Sequence, residues 1–327
     1  SLHNEFIMHR FGMIPPHIVD VDNFDPSKYK FILDVQNKEK QIIRVTTKDI
    51  KIIDNDTNLE VDNSKFFKPN PITNDYILII KLKPNPDGNG EILNLEARGS
   101  LGNGNKDARF MPSSCNAYQN KIDPVKYEAG LKAYIDATQE KTTESTVEEL
   151  TKRFSISEGE RYFITDENDR PNVFEYTLDS IGVLPSHVIL NKSLNILIVK
   201  LKQFIANFTK ALEGQGDEIE IHESTGVMKG HEIIIHNESH TLGYLLQSYI
   251  QILYGDKVKF VGYRNPHPLK KFIELSISTE TNNIEEIKDI IFNTAENIIK
   301  LVETLKTKVV SEYAGAQKPK KRIIRRK

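Results

Sequence analysis

Only one cysteine, Cys115, occurs in 327 residues, and tryptophan is absent. A single thiol excludes an internal disulfide framework and any zinc or iron–sulfur cage built from several cysteines. It fits a reducing, intracellular compartment. Long apolar runs are missing too. Tyr76–Ile80 and Ile233–Ile235 fall far short of the ~20 residues that cross a bilayer. No charged-then-apolar leader opens the chain, and a first residue of Ser rather than Met raises the expectation of a longer natural product.

An excess of one charge is also lacking overall: 44 Lys+Arg stand against 46 Asp+Glu, a net −2. The balance hides a split. Residues 318–327 hold seven basic side chains and no acid, which leaves the rest of the chain at −9. One reading is therefore a stand-alone nucleic-acid-binding protein, with Lys320, Lys321, Arg322, Arg325 and Arg326 on phosphates. The tail has no aromatic residue for base stacking, and a solubilising or targeting end is the plainer reading.

The first half reads as short strands at Tyr29–Gln36, Gln41–Ile53, Tyr76–Lys83 and Glu91–Arg98, separated by turn residues. This spacing favours a mostly antiparallel sheet. Residues 141–154 are polar with helical character, and Asn172–Leu178 reads as a strand. Ser186 then offers an N-cap to a long helix. Along it Leu190, Leu194, Leu197, Leu201, Phe204, Phe208 and Leu212 recur in steps of three and four. Such a stripe faces one side and must be covered, because each buried side chain contributes about 1.5–3 kcal/mol. An ordinary core helix and a dimerisation helix fit the pattern equally.

Gly214–Gly230 reads as a linker. Beyond it come a strand at Glu232–His236, a helix at Thr241–Tyr254, strands at Lys257–Tyr263 and Phe272–Thr279, and a helix at Ile284–Val302. The first of these helices carries Leu242, Leu245, Leu246, Tyr249 and Ile250 on its buried side. The second carries Ile284, Ile287, Ile291, Ala295, Ile298 and Val302. Strand followed by long helix thus occurs on both sides of the linker, compatible with a pseudo-dimer in one chain.

Catalytic and metal patterns are weak. The loop Gly99–Gly104 lacks the spacing of a phosphate-binding loop and has no hydroxyl residue after Lys106. His236 and His240 stand four apart, as zinc ligands on one helix would, but one ends a strand and the other precedes a helix. No third ligand is evident. Asp54, Asp56 and Asn58 begin like a calcium loop, yet Leu59 replaces the required Gly and Lys65 the closing Glu. Asp20 and Asp22 read as solvated turn residues. No catalytic site, cofactor or metal is expected.

Two segments are more specific. Phe6–Pro15, Phe-Ile-Met-His-Arg-Phe-Gly-Met-Ile-Pro, resembles the His-Arg motif of the third-largest subunit of cellular RNA polymerase II, whose counterpart is the bacterial α subunit. His240–Leu246, His-Thr-Leu-Gly-Tyr-Leu-Leu, followed by Phe260-x-Gly-Tyr-x-x-Pro-His-Pro268, resembles the signature of the eleventh subunit. Gly99–Pro112 is similar to a glycine loop of the third subunit, and Phe174–Gly182 to the strand before its long helix. Asp107 and Phe110 stand where that loop has His and Trp, and His17–Lys30 lacks the cysteines of a metal loop found in many members.

The resemblance implies an α+β fold with two α-like dimerisation modules in one chain, a fusion of the two subunits. Residues 1–20 and 171–213 would form the third-subunit-like module, interrupted by a strand-rich insert at 21–170. Residues 214–230 would be a linker, 231–310 the eleventh-subunit-like module and 311–327 a basic tail. The chain would be a non-catalytic assembly platform of a polymerase of large nucleocytoplasmic DNA viruses, of African swine fever virus or mimivirus type. Its place would be the virion and host cytoplasm. Its partners would be the two largest subunits and small subunits in a hetero-oligomer, with DNA or RNA met through the complex or weakly through the tail. Partner contacts are expected at His9, Arg10, Gly12, Pro15, Leu242, Gly243, Tyr263, Pro266, His267 and Pro268. Pairing within the chain is expected of Leu190, Leu194, Leu197, Leu201, Phe204 and Phe208 with Ile287, Ile291 and Ile298.

Overall fold

A computed structural model describes residues 2–18, 20–139, 146–224 and 229–316. The basic tail, with Lys320, Lys321, Arg322, Arg325 and Arg326, lies outside the described residues. The fold mixes helices and strands, and the chain divides into two compact units, Ser1–Ser186 and His187–Lys327. Among the described residues no helix is long and apolar enough to cross a membrane.

The first unit is built on β1 (Tyr29–Gln36), whose alternation turns Phe31 and Leu33 inward. It pairs antiparallel with β3 (Lys51–Asp54) and β6 (Ile92–Arg98), and the short β4 (Glu60–Val61) completes the order β4-β3-β1-β6. A second sheet pairs β2 (Ile43–Thr46) with β5 (Leu78–Leu82). The continuous strand expected over 41–53 is broken. Asp49 Oδ2 accepts a hydrogen bond from Thr46 N at 2.7 Å, and a short 3-10 turn, Thr47–Asp49, separates β2 from β3. A local carboxylate here outcompetes the ladder. Val45, Ile52, Ile79 and Leu82 fill the core, and α1 (Asn4–Gly12) adds Ile7, 4% exposed.

Further along, β7 (Ser113–Asn120) and β8 (Phe174–Ser180) form an antiparallel ribbon. Between them lie α2 (Pro124–Gln139), which periodicity did not reveal, and α3 (Val147–Ser157). The helix expected at 141–154 begins only at Val147, where Thr146 Oγ1 accepts from Glu149 N at 3.4 Å; residues 140–145 lie outside the described residues. Tyr127, Tyr134 and Tyr162 surround the buried Phe154. A Cβ at Gly130 would fall 2.3 Å from the Tyr162 ring, so only glycine permits that approach.

In the second unit four strands run in the order β11-β12-β10-β9, all antiparallel: β9 (Ile219–Glu223), β10 (His231–His236), β11 (Val258–Arg264) and β12 (Phe272–Thr279). β9 corrects the linker reading of 214–230. Ile219 and Ile221 alternate with Glu220 and His222, Ile219 is buried, and the strand pairs with β10 over five residues. Three helices complete the unit: α4 (Ser186–Leu212), α5 (His240–Tyr254) and α6 (Ile284–Ala316), the last well beyond the expected end at Val302. One buried cluster joins Leu194, Ile198, Leu201, Phe204 and Phe208 of α4 to Leu242, Leu246 and Ile250 of α5 and to the apolar face of α6.

Candidate functional site

The motif at the start of α5 is explained by one close approach. Gly243 is buried, and a Cβ there would lie 2.5 Å from Cδ2 of Tyr263 and 3.1 Å from Cδ1 of Ile273. Glycine lets the Tyr263 ring of β11 lie directly on the helix. Two polar contacts hold it. Tyr263 N donates to Gln247 Oε1 at 3.0 Å, and the Tyr263 hydroxyl lies 3.3 Å from His240 Nδ1. Tyr244, the exposed residue after Gly243, meets the same ring edge-on. Leu242 points the other way, fully buried in the core. The β11–β12 turn carries Pro266, His267 and Pro268 on its exposed rim. Asn265 Oδ1 accepts from His267 N at 3.2 Å, and His267 Nδ1 accepts from Leu269 N at 3.1 Å. These bonds fold the turn on itself and leave its prolines facing solvent.

His236 and His240 go to different partners. Nε2 of His236 lies 2.8 Å from Glu220 Oε1, whereas His240 meets Tyr263. Nε2 of His222 approaches the other oxygen of Glu220 at 3.1 Å. Hydrogen bonds from His236 and then His222 hold the Glu220 carboxyl below its usual range. Among the described residues no group of three or more His, Cys, Asp or Glu side chains is arranged to hold a metal ion. The acidic turns cap their own backbones: Asp54 Oδ1 accepts from Asp56 N and Thr57 N, and Asp20 Oδ1 from Asn23 N.

In the first unit the His-Arg motif is α1 itself. Ile7 anchors the helix, and Arg10 clamps it to strand β5: Nε donates to the Ile79 carbonyl at 3.1 Å and Nη2 to the Leu78 carbonyl at 2.9 Å. Phe6, Met8 and Met13 are left outside at 64%, 66% and 67% exposure. His9 is exposed and Pro15 half-buried. His17 follows, its backbone N–H on the Phe66 carbonyl; burial, then Lys68, lowers its pKa. A Cβ at Gly12 would stand 3.2 Å from Nη1 of Arg109, so the end of α1 and the glycine loop meet. That loop is closed by its own side chains. Phe110 lies over Gly102 and Met111 over Gly104, where a Cβ would fall 2.5 Å and 2.9 Å from them.

The α4 stripe lies along α6. Leu194, Leu201, Phe204 and Phe208 share one buried cluster with Ile287, Ile291 and Ile298, while Leu190 and Leu197 pack against it half-buried. The helices run antiparallel. Phe208 meets Phe292 edge-on at 5.7 Å, Lys306 Nζ donates to Asn195 Oδ1 at 2.7 Å, and His187 stacks on Tyr313 with ring centroids 3.7 Å apart. The apolar periodicity did not single out Ile198, Phe292, Asn195, Lys306 or Tyr313. Three of these are polar or amphipathic, and a search for apolar repeats passes over them.

Comparison with known proteins finds relatives that match part of the chain. A probable DNA-directed RNA polymerase II subunit RPB11 of Caenorhabditis elegans is 46% identical over 63 residues, 19% of this chain and 49% of that protein. Its namesake in Caenorhabditis briggsae is 42% identical over 62 residues, again 19% and 49%. A third, from Plasmodium falciparum, is 32% identical over 81 residues, 22% of this chain and 63% of that protein. The chain thus spans about half the length of the first two relatives. Residues 231–308, running from β10 into α6 and enclosing the Gly243–Tyr263 contact, match the family of the RNA polymerase Rpb3/Rpb11 dimerisation domain.

Proposed function

We propose that this chain is a non-catalytic assembly subunit of a multisubunit DNA-directed RNA polymerase. It pairs two α-like halves within one polypeptide and docks the two largest subunits. The observation that carries this reading is the core that α4 shares with α6, taken with the match of residues 231–308, which include most of α6 but not α4, to a dimerisation domain. In this reading residues 1–20 and 171–213 are the third-subunit-like half, 21–170 its insert and 231–310 the eleventh-subunit-like half. The connection between the halves, β9 included, keeps them at an effective concentration on the order of mM, so pairing needs no encounter of separate chains.

Docking falls to the exposed parts of the two motifs. On the first unit these are the outer face of α1, with His9, Arg10 and Gly12, and the half-buried Pro15 just beyond it. On the second it is the Pro266–Pro268 turn, with α5 held behind it by Tyr263 against Gly243 and by Leu242 in the core. Small polymerase subunits would complete the hetero-oligomer. Fusion of both halves fits the polymerase of a large nucleocytoplasmic DNA virus, acting in the virion and host cytoplasm.

Affinity-tagged chain purified from producing cells tests the reading. The two largest polymerase subunits should co-purify stoichiometrically, and should still do so after removal of Lys318–Lys327. Recovery of nucleic acid without large subunits, lost on the same truncation, would sink it in favour of a stand-alone nucleic-acid binder.

A further inference from the structure

Three contacts fix the antiparallel order of α4 and α6, and two of them are polar: His187 on Tyr313 and Asn195 with Lys306. His187, Asn191 and Asn195 stand four residues apart, one above another on one face of α4. Nδ1 of His187 and Oδ1 of Asn191 are buried without a hydrogen-bond partner among the described residues. Burying unpaired polar atoms lowers stability, and a leucine at 191 would lack this cost.

The aliphatic positions of the two stripes discriminate weakly between registers. On α6 the buried positions Ile287, Ile291, Ala295, Ile298 and Val302 recur every turn. A slip of one turn would therefore exchange one aliphatic contact for another, and of the apolar contacts named above only Phe208–Phe292 would be lost. It would, however, bring Val302 or Val310 opposite Asn195 in place of Lys306, and it would separate His187 from Tyr313. A polar residue in an apolar helix interface is a known means of fixing register at some loss of stability.

We infer that His187, Asn191 and Asn195 of α4, with Lys306 and Tyr313 of α6, form a polar ladder that selects the register of this helix pair and the helix of the same chain as its partner. The inference rests on α4 and α6 being the pairing surfaces of the two halves. Crosslinking in the isolated full chain tests it without reference to any polymerase, so the two ideas can fail separately. In a Cys115→Ser background, His187→Cys is combined with Tyr313→Cys to report the native register. The pair His187→Cys and Val309→Cys reports a one-turn slip. A short bis-maleimide should link the native pair about tenfold faster than the slipped pair, an excess of the size one charge-assisted hydrogen bond confers.

Adding Asn191→Leu, Asn195→Leu and Lys306→Leu should bring the two rates near parity, with helical circular dichroism retained. Links between two chains that arise only in this variant would count for the ladder as well. Should the triple variant not fold, Lys306→Met alone should still lower the ratio severalfold. A native-to-slipped ratio unchanged by the substitutions overturns the inference, the strand connections then fixing α6 by themselves.

Discussion

Gly243 and Gly12 are both motif glycines, but the space around them differs. A Cβ at 243 meets the Tyr263 ring at 2.5 Å and Ile273 at 3.1 Å, on a buried helix face that cannot retreat. At 12 the neighbour is the end of the Arg109 side chain at 3.2 Å, which swings away at little cost. Overpacking a core costs about 1–3 kcal/mol, while alanine returns up to ~1 kcal/mol of helix propensity. Gly243→Ala should therefore destabilise the second unit by about 1–2 kcal/mol, read as a lower denaturant midpoint at constant slope. Gly12→Ala should stay within about 0.5 kcal/mol of the parent. Equal effects of the two changes would mean that the Gly243–Tyr263 contact is not close-packed.

At the scale of elements, legibility followed periodicity. The α4 stripe, the α5 face and the α6 face were readable because apolar residues three and four apart survive any tertiary context. β9 was not, since Gly214, Gly216, Gly226 and Gly230 around it are linker residues by composition. Its five-residue alternation acquires meaning only beside β10. The break at Thr47–Asp49 escaped because a side-chain hydrogen bond, not a hydrophobic pattern, makes it. The candidate site divided in the same way. Motif residues could be named from the sequence, whereas the Gly243–Tyr263 contact and the Asn195–Lys306 pair join residues 20 and 111 apart and emerge only on folding. The two sides of α4 give the corresponding test. Leu201 is 0% exposed and Ile196 64%. Leu201→Ala should cost about 2–5 kcal/mol and Ile196→Ala less than about 0.5 kcal/mol in urea unfolding. A large loss at Ile196 would show that the outer face of α4 is covered in solution.

For the whole molecule, the segment that matches a known domain is not the segment that buries its own core. The match begins at His231, yet the cluster beneath the β11-β12-β10-β9 sheet takes Leu194, Ile198, Leu201, Phe204 and Phe208 from α4 and Ile219 from β9. Removing residues before 231 would expose the apolar faces of α5 and α6 that these six side chains cover. At about 1.5–3 kcal/mol for each large side chain, the loss is on the order of 10 kcal/mol, as much as the whole stability of an ordinary domain. The edge of β10 would be bared as well, a template for pairing with other chains. A fragment of residues 187–316 should therefore be monomeric, with a cooperative thermal transition. A fragment of residues 231–316 should aggregate, or associate with itself to recover the missing cover. Light scattering and the concentration dependence of melting separate the two. A monomeric, cooperatively melting 231–316 fragment would mean that α4 is dispensable to this core, and the pairing of halves proposed above would then need another surface.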